Sequence, residues 1–285
     1  MRYEAPETLD AAVRLLSSET GLTKILAGGT DLLVQMRTDV IEPEVIVDIK
    51  KIDEVRHIGE ENGGFRIGAA ITGAELEEHP TLSKIWPGVV EGANLIGSTQ
   101  IQGRATMGGN LCNGSPAADS VPALITATAT ATIAGPNGTR EMAVEDIMTG
   151  PRQLAIGEDE FVVSFFLPAR PANASDVYER FIPRTEMDIA VVGCATCLAL
   201  DGSGKITDAR VSLGAVAARP LLVKECADAI IGSTLDDAAM AKLDAAAQAA
   251  CKPINDKRGT IEYRTKVAGV LARRTAKTAY DRARG

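Results

Sequence analysis

Two short loops in the first half of the chain each place a pair of glycines beside a threonine and a side chain of the Asp or Asn type. The first is Ala27-Gly28-Gly29-Thr30-Asp31, and the second is Thr106-Met107-Gly108-Gly109-Asn110. Paired glycines accept positive φ angles and let backbone N–H groups approach a diphosphate with no Cβ in the way. One such loop alone is typical of an ordinary turn, but two of them predict a clamp that holds one diphosphate from both sides.

The loops differ from the common nucleotide-binding motifs. Neither has the G-x-G-x-x-G spacing of a Rossmann site or an acidic ribose partner at the expected distance, and no Walker A lysine follows. The second loop continues into a segment rich in Gly, Asn, Ser and Pro, residues 105–119, which we predict to be a long functional loop.

Periodicity predicts the elements that position these loops. The first loop lies between an apolar strand, residues 24–27, and a helix, residues 32–37, while Thr8 is expected to cap a helix over residues 6–19. Further strands are predicted at 45–49, 65–70, 131–134, 161–167, 191–200 and 208–215, and further helices at 72–79, 82–96, 234–251 and 260–284. A Pro-rich composition shift at 168–176 predicts a domain boundary. This order of mixed strands and segregated helices favours an α+β fold over a doubly wound parallel sheet.

Composition excludes several classes of function. The chain has 285 residues, a formal net charge of −8 and 45% hydrophobic residues, so we expect no general nucleic-acid surface. The most apolar stretch, residues 121–134, is interrupted by four threonines and is too short for a membrane span, so a buried helix-to-strand passage is expected. With no secretory signal at the start, we expect a cytoplasmic protein.

Cysteine and histidine positions argue against metal or disulfide chemistry. Five scattered cysteines do not predict a disulfide framework. Cys194 and Cys197 lie three apart in a predicted strand, so they should point to opposite faces and be buried structural thiols. His57 and His79 are the only histidines and have no ligand cluster around them, which makes a metal site or a His-based triad unexpected.

Both loops, with their flanking residues, resemble the FAD-binding medium subunits of the xanthine dehydrogenase and aerobic carbon monoxide dehydrogenase family. The similarity spans nearly the whole chain and is carried by residues 6–13, 25–32, 105–111, Ser115, Pro116, Asp119, Arg184, 188–190 and 213–220. The resemblance implies an FAD-binding domain of the vanillyl-alcohol-oxidase (PCMH) type at 1–170, with subdomains of about 1–60 and 61–170. A smaller α+β domain of the CO dehydrogenase flavoprotein type is then expected at 171–285.

Carried over residue by residue, the resemblance also implies the cofactor contacts. These are Ile25, Leu26, Ala27, Gly28, Gly29, Thr30, Asp31, Leu32, Ile96, Thr106, Met107, Gly108, Gly109, Asn110, Ser115, Asp119, Val162 and Arg180. Ile96 and Val162 would give apolar contacts, and Asp119 and Arg180 polar ones. For Asp119 the alternative is a cap on the following helix, and Arg180 stands where relatives often have lysine. No catalytic side chain is expected, because the redox chemistry belongs to FAD.

The family resemblance further implies partners. A large molybdopterin-binding subunit and a small subunit with two [2Fe–2S] clusters are expected, because this chain has no cysteine set for a cluster. The implied assembly is a dimer of heterotrimers, in which FAD passes electrons to NAD⁺, O₂, a quinone or another acceptor. The second loop looks more like that of hydroxylases of heterocycles, purines, aldehydes or aryl-CoA thioesters than that of CO dehydrogenase.

Two alternative functions stay open at this point, and so does the role of the last helix. The chain could be a free-standing FAD oxidoreductase that binds its own substrate, or an assembly subunit that has lost flavin. The basic last helix, residues 260–284, is either a solvated face that complements the helix dipole or a docking site for an acidic partner.

Overall fold

The first part of the chain folds around a small parallel sheet. In this computed structural model, which describes residues 1–285, the strands take the order β1-β3-β2. The elements are β1 (Arg2–Glu4), α1 (Leu9–Ser18), β2 (Thr23–Leu26), α2 (Leu32–Arg37), β3 (Val45–Asp48), a 3₁₀ turn (Ile49–Lys51) and α3 (Asp53–Arg56).

Sequence patterns predicted α1, β2, α2 and β3 to within a few residues, whereas β1, the 3₁₀ turn and α3 were not predicted. Thr8 caps α1, because its hydroxyl accepts a hydrogen bond of 3.2 Å from the N–H of Ala11. The apolar side of α1 then packs against β3. Because β2 and β3 are parallel and pair Leu26 with Asp48, the carboxyl ends of both strands lie at one edge of the sheet. The first Gly-Gly loop begins at that edge.

The middle of the chain forms a five-stranded antiparallel sheet covered by short helices. Its strands take the order β4-β5-β10-β6-β7, and the largest hydrophobic core of the protein lies between them and the helices. The elements are β4 (Ile58–Glu61), β5 (Gly64–Gly68), α4 (Gly73–Glu78), α5 (Leu82–Ile85), α6 (Pro87–Asn94), α7 (Thr99–Gln102), α8 (Met107–Cys112), α9 (Ser120–Thr126), β6 (Thr130–Gly135), β7 (Gly138–Ala143), α10 (Val144–Ile147), β8 (Met148–Gly150), β9 (Gln153–Leu154) and β10 (Phe161–Leu167).

Two predictions for this region were wrong. The helix predicted over 82–96 is broken at Trp86, because Pro87 has no N–H to donate and instead occupies the first position of α6. The segment predicted as one long loop, 105–119, contains the helix α8. Thr106 caps α8 by accepting a hydrogen bond of 3.0 Å from Gly109 N, so the second Gly-Gly pair lies in a helical turn.

The last part of the chain is a four-stranded antiparallel sheet backed by helices. Its elements are β11 (Ala174–Phe181), β12 (Val192–Leu200), β13 (Ile206–Gly214), β14 (Leu221–Leu222), α11 (Lys224–Ile230), α12 (Asp237–Ala250) and α13 (Ile261–Arg284). Sequence analysis missed β11, since it begins inside the Pro-rich segment. As predicted, the side chains of Cys194 and Cys197 lie on opposite faces of β12. Cys194 is part of the hydrophobic core between the last sheet and α13, and Cys197 packs against the hydrophobic core of the middle sheet.

The overall architecture is mixed α and β, which confirms the predicted fold class. None of the helices combines the length and the apolar character that crossing a membrane requires.

Candidate cofactor site

A cleft of about 600 Å³ lies between the parallel sheet and the five-stranded sheet. Its walls come from the end of β2, the first Gly-Gly loop, α2, the start of α8, the β8–β9 hairpin and β10. Most of the predicted cofactor contacts line it, namely Ile25, Ala27, Gly28, Gly29, Thr30, Asp31, Leu32, Ile96, Thr106, Gly108, Gly109, Asn110 and Val162. The fold thus brings together two loops that lie almost eighty residues apart in sequence.

The first loop packs directly against the backbone that precedes the second loop. A Cβ on Gly28 would lie only 1.9 Å from the carbonyl oxygen of Arg104, so no side chain fits there. Gly29 has a φ of +78°, a left-handed conformation that favours glycine. The amide of Gln35, on α2, also donates a hydrogen bond of 3.1 Å to Asn113, which follows α8. Both glycines of the first loop are therefore required by the structure.

The first loop offers a row of unused hydrogen-bond donors. None of the five consecutive N–H groups of residues 28–32 has a backbone or side-chain acceptor, and the hydrogen bonding of α2 starts only with Leu33 N to Gly29 O, at 3.0 Å. Backbone N–H groups are strong donors, and those at the start of a helix have no partner within the helix, so these groups are available to a ligand. A diphosphate offers several charged oxygen acceptors, and such charge-assisted hydrogen bonds are the strong ones. The donor set of this loop therefore fits the diphosphate of FAD.

The second loop is different, because most of its N–H groups are already paired. Gly108 N donates to Ala69 O at 3.2 Å, and Gly109 N and Asn110 N donate to Thr106 at 3.0 Å. A Cβ on Gly108 would meet the Ala69 carbonyl oxygen at 2.5 Å, whereas one on Gly109 would approach only the Thr106 hydroxyl, at 3.1 Å. The second loop contributes a close-fitting wall, and the first contributes the donors.

Some charged side chains that line the cleft form ion pairs within the chain, and others do not. Lys24 and Arg152 line the cleft and form no ion pair with any carboxylate of the chain. Arg152 stands in the β8–β9 turn with a φ of +58°. Among the acidic lining residues, Glu160 is held by Arg140, whose hydrogen bonds lower the pKa of the Glu160 carboxyl to about 2. Lys24 and Arg152 can therefore contact an anionic ligand, whereas the Glu160 carboxylate stays charged and paired with Arg140.

Five of the predicted contacts do not line the cleft, namely Leu26, Met107, Ser115, Asp119 and Arg180. Met107 is part of the hydrophobic core. Asp119 and Arg180 instead form a buried ion pair at 2.6 Å, and Tyr178 donates a second hydrogen bond of 2.8 Å to Asp119. This network joins α9 to β11. The FAD contacts implied for these five residues stay predictions.

Burial dominates the electrostatics of the Asp119 pair. It raises the pKa of the Asp119 carboxyl to about 6, against the opposing effects of Arg180 and Tyr178. Asp119 makes no side-chain hydrogen bond to the first turn of α9, so the alternative of a helix cap was wrong. The Nε of Arg180 is buried and has no acceptor.

Several cleft residues were missed by sequence reasoning. Cys112 and Asn113 line the cleft and lie in the Gly- and Asn-rich segment that predicted a functional loop, so that signal could have found them. Gln35 and Arg152 carried no such signal, since one is an ordinary helical residue and the other lies in a hairpin that the sequence did not predict.

The basic residues of α13 are mostly used within the chain. Ion pairs at 2.5 to 2.7 Å join Arg264 to Asp256, Arg273 to Asp244, Lys277 to Asp281 and Arg282 to Glu91. This intramolecular pairing accounts for most of the positive charge of the helix. No group of three or more His, Cys, Asp or Glu side chains is arranged to hold a metal ion.

Family models decide which proteins this arrangement belongs to. Residues 1–170 match the model described as the FAD binding domain in molybdopterin dehydrogenase, and residues 178–279 match the CO dehydrogenase flavoprotein C-terminal domain. The chain belongs to the family of FAD-binding medium subunits of molybdenum hydroxylases. The resemblance seen in the two loops is thereby confirmed, and so are the oxidoreductase class and FAD as the cofactor.

Individual proteins with similar sequences support the same family assignment. This medium subunit is 35% identical over 283 residues to the carbon monoxide dehydrogenase medium chain of Afipia carboxidovorans, covering 99% of this chain and 97% of the relative. A xanthine dehydrogenase FAD-binding subunit of Escherichia coli O157:H7 is 34% identical over 221 residues, covering 77% of this chain and 75% of the relative. Since these identities are nearly equal, the preference for a hydroxylase of heterocycles, purines, aldehydes or aryl-CoA thioesters stays a prediction.

Solved structures show the same fold along the whole subunit. A chain of the reconstituted CO dehydrogenase from Oligotropha carboxidovorans superimposes with a TM-score of 0.94 at 34% identity, covering 99% of this chain and 98% of that one. Quinoline 2-oxidoreductase from Pseudomonas putida 86 gives a TM-score of 0.91 at 25% identity, covering 99% and 98%.

Proposed function

We propose that this FAD-binding subunit is the electron-transfer component of a heterotrimeric molybdenum hydroxylase. It takes electrons from the [2Fe–2S] clusters of a small partner subunit and passes them to an external acceptor. A large partner that carries molybdopterin oxidises the organic substrate, and two heterotrimers associate as a dimer.

One observation carries this proposal. The whole chain, including the part that follows the cleft-forming sheets, superimposes on a chain of a CO dehydrogenase structure with a TM-score of 0.94. A protein that had kept only a flavin-binding fold would share the first 170 residues, but the last sheet and its helices match as well. The shared second domain supports a shared role within a multi-subunit enzyme.

Residues of this chain bind and orient the cofactor rather than react. The N–H groups of residues 28–32 hold the diphosphate, and Ile96 and Val162 provide apolar contacts in the cleft. When bound, FAD supplies the redox chemistry, because its ring system can accept and release electrons one or two at a time. The chain fixes the position of FAD.

The direct test is to isolate the subunit from its native source together with the chains that copurify. We expect one FAD per subunit, a large molybdenum-containing partner and a small iron–sulfur partner. The bound flavin should become reduced when substrate is added to the complex but not when it is added to the isolated subunit. An isolated chain that oxidises an organic substrate without partners would overturn the proposal and favour a free-standing oxidoreductase.

A second outcome would overturn the proposal in another way. If the purified chain assembles with both partners but neither carries nor takes up FAD, its role would be that of a flavin-free assembly subunit. The flavin absorption of the reconstituted subunit distinguishes this case from the first, since a free-standing oxidoreductase would be yellow.

A further inference from the structure

Directly beneath the first Gly-Gly loop lies a carboxylate that is almost fully buried. Asp48, 7% exposed, ends β3 at the edge of the sheet where β2 leads into the loop. The hydroxyl of Tyr3, from β1, donates a hydrogen bond of 2.5 Å to Oδ2, and Lys50 donates to Oδ1 from its backbone N–H at 3.0 Å and from Nζ at 2.7 Å. Burial raises the pKa of Asp48, but these hydrogen bonds outweigh it, so the pKa is lowered overall and the carboxylate stays charged.

The ammonium group of Lys50 reaches from this carboxylate to the loop itself. Its Nζ donates a hydrogen bond of 3.0 Å to the carbonyl oxygen of Ala27, the residue before the two glycines. Lys50 does not line the cleft, whereas Ala27 and Gly28 do. The Ala27 carbonyl is therefore held by a side chain that is not part of the cleft wall.

Peptide geometry gives this contact a consequence for the cofactor site. In a trans peptide the C=O of one residue and the N–H of the next point in opposite directions within one plane, and this chain contains no cis peptide bond. Because the Ala27 C=O points to Lys50, the Gly28 N–H points away from Lys50, and Gly28 itself lines the cleft. Gly28 is the first of the five residues whose N–H groups have no acceptor.

We infer that Lys50 is a positioning residue for the FAD diphosphate, which fixes the Ala27–Gly28 peptide so that the first loop presents its donors to the phosphate oxygens. The inference rests on FAD binding in this cleft and adds a residue that touches no part of the cofactor. The charge of Lys50 is balanced by Asp48 at 2.7 Å, so its effect comes from the hydrogen bond to Ala27 rather than from direct attraction to phosphate.

The neighbouring lysine provides a matched control. The side chain of Lys51 is 62% exposed, and its only ionic contact is with Glu7 at 3.9 Å. It has the same charge as Lys50 and lies one residue further along, but it has no contact with the loop. A general effect of removing one positive charge from this edge of the sheet would therefore appear in both lysine variants.

The test compares Lys50→Met and Lys51→Met in the full-length subunit after FAD has been removed. FAD is titrated back and followed by quenching of flavin fluorescence, and the ³¹P spectrum of the bound diphosphate is recorded. We expect Lys50→Met to raise the Kd for FAD roughly tenfold, the size expected for one hydrogen bond to a charged group. It should also shift the ³¹P resonances, while Lys51→Met changes neither. A purely structural role of Lys50 would lower thermal stability without moving the ³¹P resonances.

Other outcomes are equally decisive. Equal Kd values and unchanged ³¹P spectra in the two lysine variants would overturn the role of Lys50. If Lys50→Met fails to fold by circular dichroism, Lys50→Gln replaces it, because this neutral polar side chain is one bond shorter and cannot reach both Asp48 and the Ala27 carbonyl as Nζ does. A Kd for FAD that is the same in Lys50→Gln and in Lys51→Gln would then overturn the inference. If the unaltered subunit does not bind FAD, the cofactor assignment fails first and the inference falls with it.

Discussion

The substitution Gly109→Ala separates the cofactor role of the second loop from its role in the fold. Gly109 lies in the first turn of α8 and on the cleft wall, and a Cβ there would approach only the Thr106 hydroxyl, at 3.1 Å. The added methyl group therefore contacts only one side-chain atom of the protein, and because Gly109 lines the cleft we expect the methyl group to reduce the space for the cofactor. We therefore expect the substitution to stabilise the FAD-free chain slightly and to weaken the binding of FAD.

Both magnitudes follow from general values. Alanine is favoured over glycine within a helix by up to about 1 kcal/mol, so the FAD-free variant should unfold at a slightly higher urea concentration than the unaltered chain. A methyl group forced into a closely packed contact costs about 1–3 kcal/mol, which corresponds to a rise in the Kd for FAD of roughly 5- to 150-fold.

The assay combines urea denaturation of the FAD-free chain with a fluorescence titration of FAD. Gly103→Ala is the matched control, because Gly103 ends the helix α7, a Cβ there would meet no atom within 4 Å, and the residue is absent from the cleft wall. This control should bind FAD normally. A Gly109→Ala variant that also binds FAD with unchanged affinity would refute the reasoning that the second loop faces the cofactor.

Three further predictions concern the rest of the site. Gly28→Ala should destabilise even the FAD-free chain by about 1–3 kcal/mol in urea denaturation, because its Cβ would lie 1.9 Å from the backbone oxygen of Arg104; unchanged stability would contradict this close approach. Arg152→Gln removes a free cation from the cleft and should raise the Kd for FAD by roughly fivefold at low salt and by less at high salt; a salt-independent change would argue against a charge effect. Burial raises the pKa values of Asp119 and Asp176 to about 6, so between about pH 4 and 6 these two carboxyls bind more protons in the folded chain than in the unfolded one. Their contribution to the free energy of unfolding should therefore fall as pH rises through that window, by at most about 1.4 kcal/mol per pH unit for each group; urea titrations in which Asp119→Asn has the same pH dependence as the unaltered chain would contradict the assignment.

The first loop could be predicted from sequence because all its determinants are local. An apolar strand, two glycines and a helix follow one another without interruption, and each has its own periodicity or turn signal. The second loop was harder, since glycine disfavours helices and hid the helix α8 around Gly108 and Gly109. The cap of α8 by Thr106 depends on the backbone conformation around the two glycines, which no local sequence pattern indicated.

Contacts between distant parts of the chain could not be predicted. The residues Asp119 and Arg180 were identified individually, but no periodicity relates positions on α9 and β11, so their pairing with each other was unforeseen. The link from Lys50 to Ala27 is of the same kind, because it depends on two parallel strands ending at one edge. Local patterns predict elements, whereas the partners of buried charges depend on how those elements pack.

The central claim is that the first Gly-Gly loop holds the FAD diphosphate with its free N–H groups. The most direct measurement is an NMR titration of the FAD-free subunit labelled with ¹⁵N-glycine, which reports on the 27 glycines of the chain. The amide signals of Gly28 and Gly29 should move strongly and saturate at one FAD per chain, while that of Gly202, in the hairpin turn between β12 and β13, stays in place. Saturable FAD binding that leaves Gly28 and Gly29 unmoved would contradict the account.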